Sequence, residues 1–413
     1  MSILQLAWRN IMSKPLNLLL NLILFSLGIA LISFLFQLNT QIKDKFDKNL
    51  AGIDLVIGAK GSPLQMILCN MYHIDNPTGN INIAEARPFL NPKHPLIKRA
   101  VPLSLGDSYQ GYRIVGTNHS MMDMYEASIK EGKFFDGPMQ AVVGSTAARK
   151  SGLKLGDTFY SSHGFVQDDD TAHDHVTIQV VGILENSGSV IDQLILTDSK
   201  TIWEVHEHHE EGHEHVDTFA NKPFDLLNYP EKDITSILVQ FKNRTNFQAL
   251  NMPRNINENT DMQAASPAIE INRLYDMVGV GTNALQILAI LISIVSAISI
   301  FISLFSSLKS RKYELALMRV MGAGPSKLFL LIILEGLILA VLSFIIGIAL
   351  SHIAMWLMSE SLSEAYKYDF DALNFIKKEW ALLGLALILG FVASVIPALR
   401  AYKTDIHSTL SKM

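Results

Sequence analysis

The residues best able to do chemistry in this 413-residue chain are clustered histidines. Between Val205 and His215, five imidazoles (His206, His208, His209, His213 and His215) alternate with Glu207, Glu210, Glu211 and Glu214. Imidazole nitrogen ligates zinc, nickel or copper, carboxylates add oxygen ligands, and the spacing of His209 and His213 would put both on one helical face. His163, His173 and His175 stand in a second polar stretch, so eight of the thirteen histidines fall in two short regions. The sharper expectation is a site for a divalent metal such as zinc; the plainer one is a solvated acidic loop that binds metal weakly. Other chemistries are poorly provided for. The chain has no G-x-x-x-x-G-K-[ST] loop, and residues 58–63, superficially similar, read as a turn. No nucleophile motif joins its serines, histidines and acids, so no enzyme active site is expected. Cys69 is the only cysteine, which excludes an intrachain disulfide.

What must position these residues is a set of four apolar blocks at 16–38, 284–308, 328–358 and 380–399. Each exceeds or matches the roughly 20 helical residues that cross a hydrocarbon core. Backbone amides in lipid must pair within their own segment, and the period-two alternation of a barrel is missing, so the blocks predict four transmembrane helices. The first reads as a retained signal anchor rather than a cleaved peptide. Three of the blocks carry no charge, and the third carries only Glu335 and His352. Glu335 is expected to be a structural anchor paired with a basic residue, in preference to a proton relay.

Orientation follows from the flanking cations. Arg9 and Lys14 precede the first block, Lys309, Arg311, Lys312, Arg319 and Lys327 fill the second connection, and Arg400, Lys403 and Lys412 follow the last. Only Glu314 and Asp405 oppose them. Basic segments stay on the cytoplasmic side, so residues 1–15, 309–327 and 400–413 are expected inside, and 39–283 and the short 359–379 outside. Residues 1–15 mix apolar and basic side chains as an interfacial amphipathic helix would.

The 245 residues of the outer segment carry 31 acidic and 21 basic side chains, an electrostatic balance that gives no reason to expect nucleic-acid binding. Runs rich in β-branched residues at 54–58, 141–144, 177–184 and 235–241 predict strands, and 145–151 a short helix, hence an α+β domain. Polar, histidine-bearing composition marks an inserted subdomain at about 160–220. A stalk helix is expected to start near 270–277 and to run through a joint at Gly279 and Gly281 into the second span.

Two motifs carry a family resemblance. Residues 311–327, between the second and third spans, resemble the signature of FtsX-like permeases, R-x-x-E-x-x-x-L-R-x-x-G-A, at Arg311, Glu314, Leu317, Arg319, Gly322 and Ala323. Residues 142–157 followed by 180–183 are similar to the core of MacB-like periplasmic domains, and the closing 396–405 is similar to the family's last motif. The resemblance, to ABC transporter permeases of the MacB/FtsX-like (type VII) kind, implies an α-helical four-span bundle with a MacB-like periplasmic core domain between spans 1 and 2. It implies a bacterial inner-membrane location, a dimer of permeases and a separate cytoplasmic ABC ATPase, which would bind the ATP. Mechanotransmission to an envelope substrate (lipoprotein, peptide, lipid or drug) is implied, with an outer partner. In the family, the 311–327 region and the N-terminal helix contact the ATPase. As a helix, this connection would carry its charges beside an apolar stripe of Leu315, Met318 and Met321. Two other functions fit the same features: an FtsX-like scaffold regulating a periplasmic hydrolase, and a metal-binding receptor without transport.

Overall fold

The computed structural model describes residues 2–163, 172–207, 226–366 and 371–403. It forms two compact units: a helical unit of residues 1–43 and 277–413, and an inserted domain of residues 44–276. In chain order the elements begin with α1 (Ile3–Met12), α2 (Pro15–Asn49), β1 (Leu55–Ala59), α3 (Pro63–Tyr72), β2 (Ile81–Asn82), α4 (Ile83–Leu90), β3 (Ile97–Tyr109) and β4 (Tyr112–Thr117). Then come α5 (Ser120–Met124), β5 (Ile129–Gly132), β6 (Gln140–Val143), α6 (Ser145–Ser151), β7 (Thr158–His163), β8 (Ala172–Leu184), β9 (Ile195–Asp198) and α7 (Ser199–Glu207). The rest are β10 (Asp233–Ile234), β11 (Ser236–Phe241), α8 (Phe247–Asn259), β12 (Met262–Ala265), α9 (Pro267–Ser310), α10 (Lys312–Val320), α11 (Pro325–Tyr366) and α12 (Lys377–Tyr402).

In the helical unit, α2, α9, α11 and α12 are long and apolar enough to cross a membrane. Short α1 is fixed at its start by a reciprocal cap, the Gln5 amide donating to the Ser2 hydroxyl and the Ser2 amide to the Gln5 side chain. It is amphipathic: Ala7, Asn10 and Ile11 are buried, while Leu4, Trp8 and Met12, one turn apart, are exposed. That exposed stripe suits a helix lying in a membrane interface. α11 and α12 approach backbone to backbone. A Cβ on Gly336 would stand 2.7 Å from the Ser394 Cβ and 2.9 Å from the Gly390 carbonyl, and one on Gly390 would stand 2.7 Å from the Ala340 Cβ. Gly336 and Ala340 on one helix thus meet Gly390 and Ser394 on the other, each pair at four-residue spacing, as small residues permit in lipid. The expected joint at Gly279 and Gly281 does not interrupt α9, which is continuous. Each glycine weakens a helix by only about 1 kcal/mol, too little to end one with long helical flanks.

The inserted domain is built on a ten-stranded mixed sheet of order β12-β1-β11-β3-β4-β9-β6-β8-β5, with β7 bridging β3 and β8. β4 with β9 and β6 with β8 are parallel pairs; the other pairings are antiparallel. β3 spans both halves of the sheet, pairing with β11 at its start and β4 at its end, with a register shift between Leu105 and Ser108. Such a bulge bends the strand and raises its twist. Two hydrophobic cores flank the bend. One gathers Leu55, Ile57, Ile237 and Val239 under α4 and α8; the other gathers Ile114, Val143, Ile178 and Ile195 under α6.

Candidate coupling site

The sequence-predicted site lies where α9 gives way to α10. Arg311 sits between the two helices and turns its guanidinium back on the bundle, its side chain only 15% exposed. Nε meets the Glu314 carboxylate at 2.9 Å, one η-nitrogen lies 3.8 Å from the Glu335 carboxylate, and the other donates to the Asn10 side-chain oxygen. Asn10 completes the circuit, its amide donating to Glu335 at 2.7 Å. One guanidinium and one carboxamide therefore hold α1, α10 and α11 together around a buried acid. A guanidinium presents its donors in a rigid fork, which suits it to several oxygens at once.

Gly322 and Ala323 act on the backbone. The Ala323 amide donates to the Met318 carbonyl at 2.9 Å, the Gly322 amide to the Arg319 carbonyl at 3.1 Å, and Gly322 has a φ of +96°. This is a Schellman stop, in which a left-handed residue satisfies the last carbonyls of a helix, and glycine is the residue that adopts it without strain. The six motif residues thus divide by role: Arg311 and Glu314 tie, Leu317 and Arg319 lie on α10, Gly322 and Ala323 end it.

Of the expected apolar stripe, Leu315 and Met318 are covered and Met321 is exposed. Leu315 and Ala316 are buried and Met318 packs with them, against Leu308, Leu328 and Leu331 of the unit's own core. Burying that side turns Tyr313, Leu317, Val320 and Met321 outward, all between 43% and 72% exposed. Leu317 follows Tyr313 by four residues, and Val320 and Met321 follow Leu317 by three and four, which places them on one side of the helix.

Glu335 and the expected basic partner come together, but Asn10 was not singled out from sequence. The available signal was a polar residue between Ala7 and Ile11 on the buried side of an amphipathic helix. Glu379, assigned by composition to the connection before the last span, is instead in the first turn of α12 and is buried. It accepts hydrogen bonds from Ser33 and Gln37, each at 2.8 Å.

Of the five histidines proposed for metal, His206 lies in the last turn of α7, and its Nε2 lies 3.4 Å from the buried Asp107 carboxylate. That hydrogen bond raises the imidazole pKa above its ordinary value. His208, His209, His213 and His215 lie outside the described residues. Among the described residues no group of three metal-ligating side chains converges. The inserted domain also holds a cleft of about 510 Å³ lined by Arg99, His119, Phe135, Asp136 and Asp198. There the His119 ring is held between Phe134 and Phe135, at 4.9 and 5.4 Å, with Nε2 2.9 Å from the Phe135 carbonyl. Asp198 caps α7 by accepting from the Lys200 amide, and burial pushes its carboxyl up to about 6.

Comparison with known proteins places these features in a family. Residues 18–252 match the family model described as the MacB-like periplasmic core domain, and residues 286–406 match the FtsX-like permease C-terminal model. No curated protein matches the sequence. A solved structure, the extracellular domain of the noncanonic ABC-type transporter YknZ from Gram-positive bacteria, is similar at 14% identity and a TM-score of 0.29. It covers 51% of this chain and 98% of its own.

Proposed function

Since the chain belongs to the MacB/FtsX-like family of ABC-type permeases, we propose that it is the subunit that passes the work of a separate cytoplasmic ATPase to an envelope substrate. The ATPase would dock on the exposed side of α10, and the single observation that carries this is the outward face of Tyr313, Leu317, Val320 and Met321. Those residues sit on a short helix whose other side is locked into the bundle, so a push on α10 reaches α1 and α11 through Arg311, Asn10 and Glu335. Both buried acids are occupied by protein hydrogen bonds within the unit. That favours helices acting as rods over helices lining a conduit. On this reading both termini are cytoplasmic, the membrane is the bacterial inner membrane, and the permease works as a pair. Lipoproteins, peptides, lipids and drugs are the substrate classes it would serve.

The test is copurification of the full chain with its ATPase, followed by ATPase rates in nanodiscs. Leu317→Glu with Met321→Glu should cut association at least tenfold while leaving the permease folded. Unchanged association in the double variant would sink the docking face. A metal function rests on the run from His206 to His215. Zinc titration of the full chain should lose its high-affinity phase when all five histidines become alanine; an unaltered titration would remove metal from the account.

A further inference from the structure

We propose that His352 and Glu379, with Gln37 between them, form a proton-binding site whose loading clamps α2, α11 and α12 together at the end of the helical unit where α2 leads on into the inserted domain. The inference stands apart from the ATPase reading, because it uses neither α10 nor Glu335.

The Glu379 carboxylate is 4% exposed and accepts from Ser33 Oγ and Gln37 Nε2 on one oxygen, and from the Ile376 amide at 3.1 Å on the other. His352 Nδ1 lies 2.6 Å from the Ala372 carbonyl. A carbonyl can only accept, so Nδ1 carries a hydrogen in every state and Nε2 is the atom that varies. Nε2 lies 3.2 Å from Gln37 Nε2 and 3.4 Å from the Glu379 carboxylate.

The Gln37 amide nitrogen has two hydrogens but three neighbours that can accept them: Glu379 at 2.8 Å, His352 Nε2 at 3.2 Å and Ser351 Oγ at 3.3 Å. Turning the amide over would set its oxygen against an ionised carboxylate oxygen, so Glu379 fixes its orientation. With His352 neutral, two lone-pair-bearing atoms face one another in a buried setting and share a donor that cannot serve every acceptor. One added proton on Nε2 converts an acceptor into a donor. It forms a charge-assisted bond to Glu379 and frees Gln37 for the carboxylate and Ser351. The Phe375 ring, 4.5 Å from the imidazole, adds an aromatic face that favours a cation.

Among the described residues, nearby charges do not supply that hydrogen. On α12, Lys378 Nζ lies 5.8 Å from the Phe36 ring of α2. The Asp371 carboxylate accepts from the Leu373 amide, and its backbone pairs with Gln41. Ser33 and Gln37 on α2 and Ser351 on α11 carry no charge, and α9 meets this end with Ala289, packed with Ile32 and Leu382. Loaded, the site grips α2 through ionic hydrogen bonds; unloaded, the grip loosens.

The experiment uses the full chain in nanodiscs. Nitroxides on Thr40→Cys and Leu373→Cys, in a Cys69→Ala background, report the α2 separation. A single narrow distance at about pH 5.5 should broaden at about pH 8, the range over which an imidazole changes charge. His352→Gln should abolish that response. Nitrogen NMR of histidine-labelled protein supplies the second readout: His352 should gain its Nε2 proton across this range with Nδ1 protonated throughout, and Glu379→Gln should lower its proton affinity at least tenfold. Identical distance distributions at both pH values in the unmutated site would overturn the proposal without recourse to either variant. So would a His352 Nε2 that stays unprotonated down to about pH 5.

Discussion

Glu335 and Glu379 are both acids buried in helices of one bundle, yet they are held by different kinds of partner. Glu335 faces Arg311, a cation at every physiological pH, through a carboxamide that serves both groups. Glu379 faces hydroxyl, amide and imidazole groups, of which only His352 can become charged. Glu335 and His352 stand seventeen residues apart on α11, about 25 Å along the helix. One end of α11 thus carries a tie to a fixed cation and the other a tie to a group that can gain or lose its charge. A helix fastened rigidly at one end and adjustably at the other is suited to transmit a movement and to have its output regulated.

Removing the tie to the fixed cation should have the largest effect. Glu335→Ala leaves the buried Asn10 amide without its acceptor and takes away the Arg311 guanidinium's buried counter-charge, and breaking a buried pair from one side costs about 3–5 kcal/mol. Thermal unfolding in detergent at about pH 8 should show that loss. An unchanged unfolding temperature would show that this tie carries none of the bundle's stability. Asn10→Ala removes bonds to charged groups at both its ends and should cost about 1.5–3 kcal/mol. It should also lower ATPase stimulation more than Glu314→Gln does, because Glu314 is largely exposed, with its carboxylate on Arg311.

Overpacking separates the ends in another way. Gly390→Leu would force α12 away from α11, since even a Cβ there meets Ala340 at 2.7 Å. The expected destabilisation is about 1–3 kcal/mol. Of the two carboxylate clusters only that of Glu379 includes α12, so its pH response should disappear while the Arg311 network survives. Retention of the pH response in a destabilised Gly390→Leu protein would show that α12 does not carry the titratable tie.

The spans, the large insertion and several strands were legible because they follow from composition and period. Residues 145–151 form a helix and 235–241 hold a strand because the local pattern and the tertiary setting agree. The two carboxylate sites were legible only in part. Arg311 and Glu335 stand out as charges in or beside apolar blocks, whereas Asn10, Ser33 and Gln37 are neutral and blend into amphipathic or apolar segments. Their role depends on which residues over three hundred positions away reach them, and periodicity carries no such information. The outward face of α10 was misassigned for a related reason: two apolar stripes run along that helix, and only its packing partner decides which is covered.

The inserted domain supplies the smallest and cleanest contrast, a buried imidazole with no carboxylate at all. His73 closes α3 in the left-handed region at φ +54°, with neither ring nitrogen hydrogen-bonded among the described residues. Burial, and secondarily the Arg113 charge, hold its pKa well below the ordinary 6.5. The native protein therefore refuses a proton that the unfolded chain accepts. Its contribution is fully present above about pH 6.5 and is lost as pH falls towards the folded value, with a limiting slope of about 1.4 kcal/mol per pH unit. His206, raised by Asp107, works with the opposite sign: its contribution is present below about pH 6.5 and is lost as pH rises through its folded value. His73→Asn keeps a residue that tolerates the left-handed conformation and removes the titration. Hydrogen exchange of the inserted domain within the full chain should show acid destabilisation between about pH 6.5 and 5 weaken in His73→Asn and steepen or persist in His206→Gln. If both variants track the unmutated chain, the acid sensitivity of this domain resides in neither imidazole.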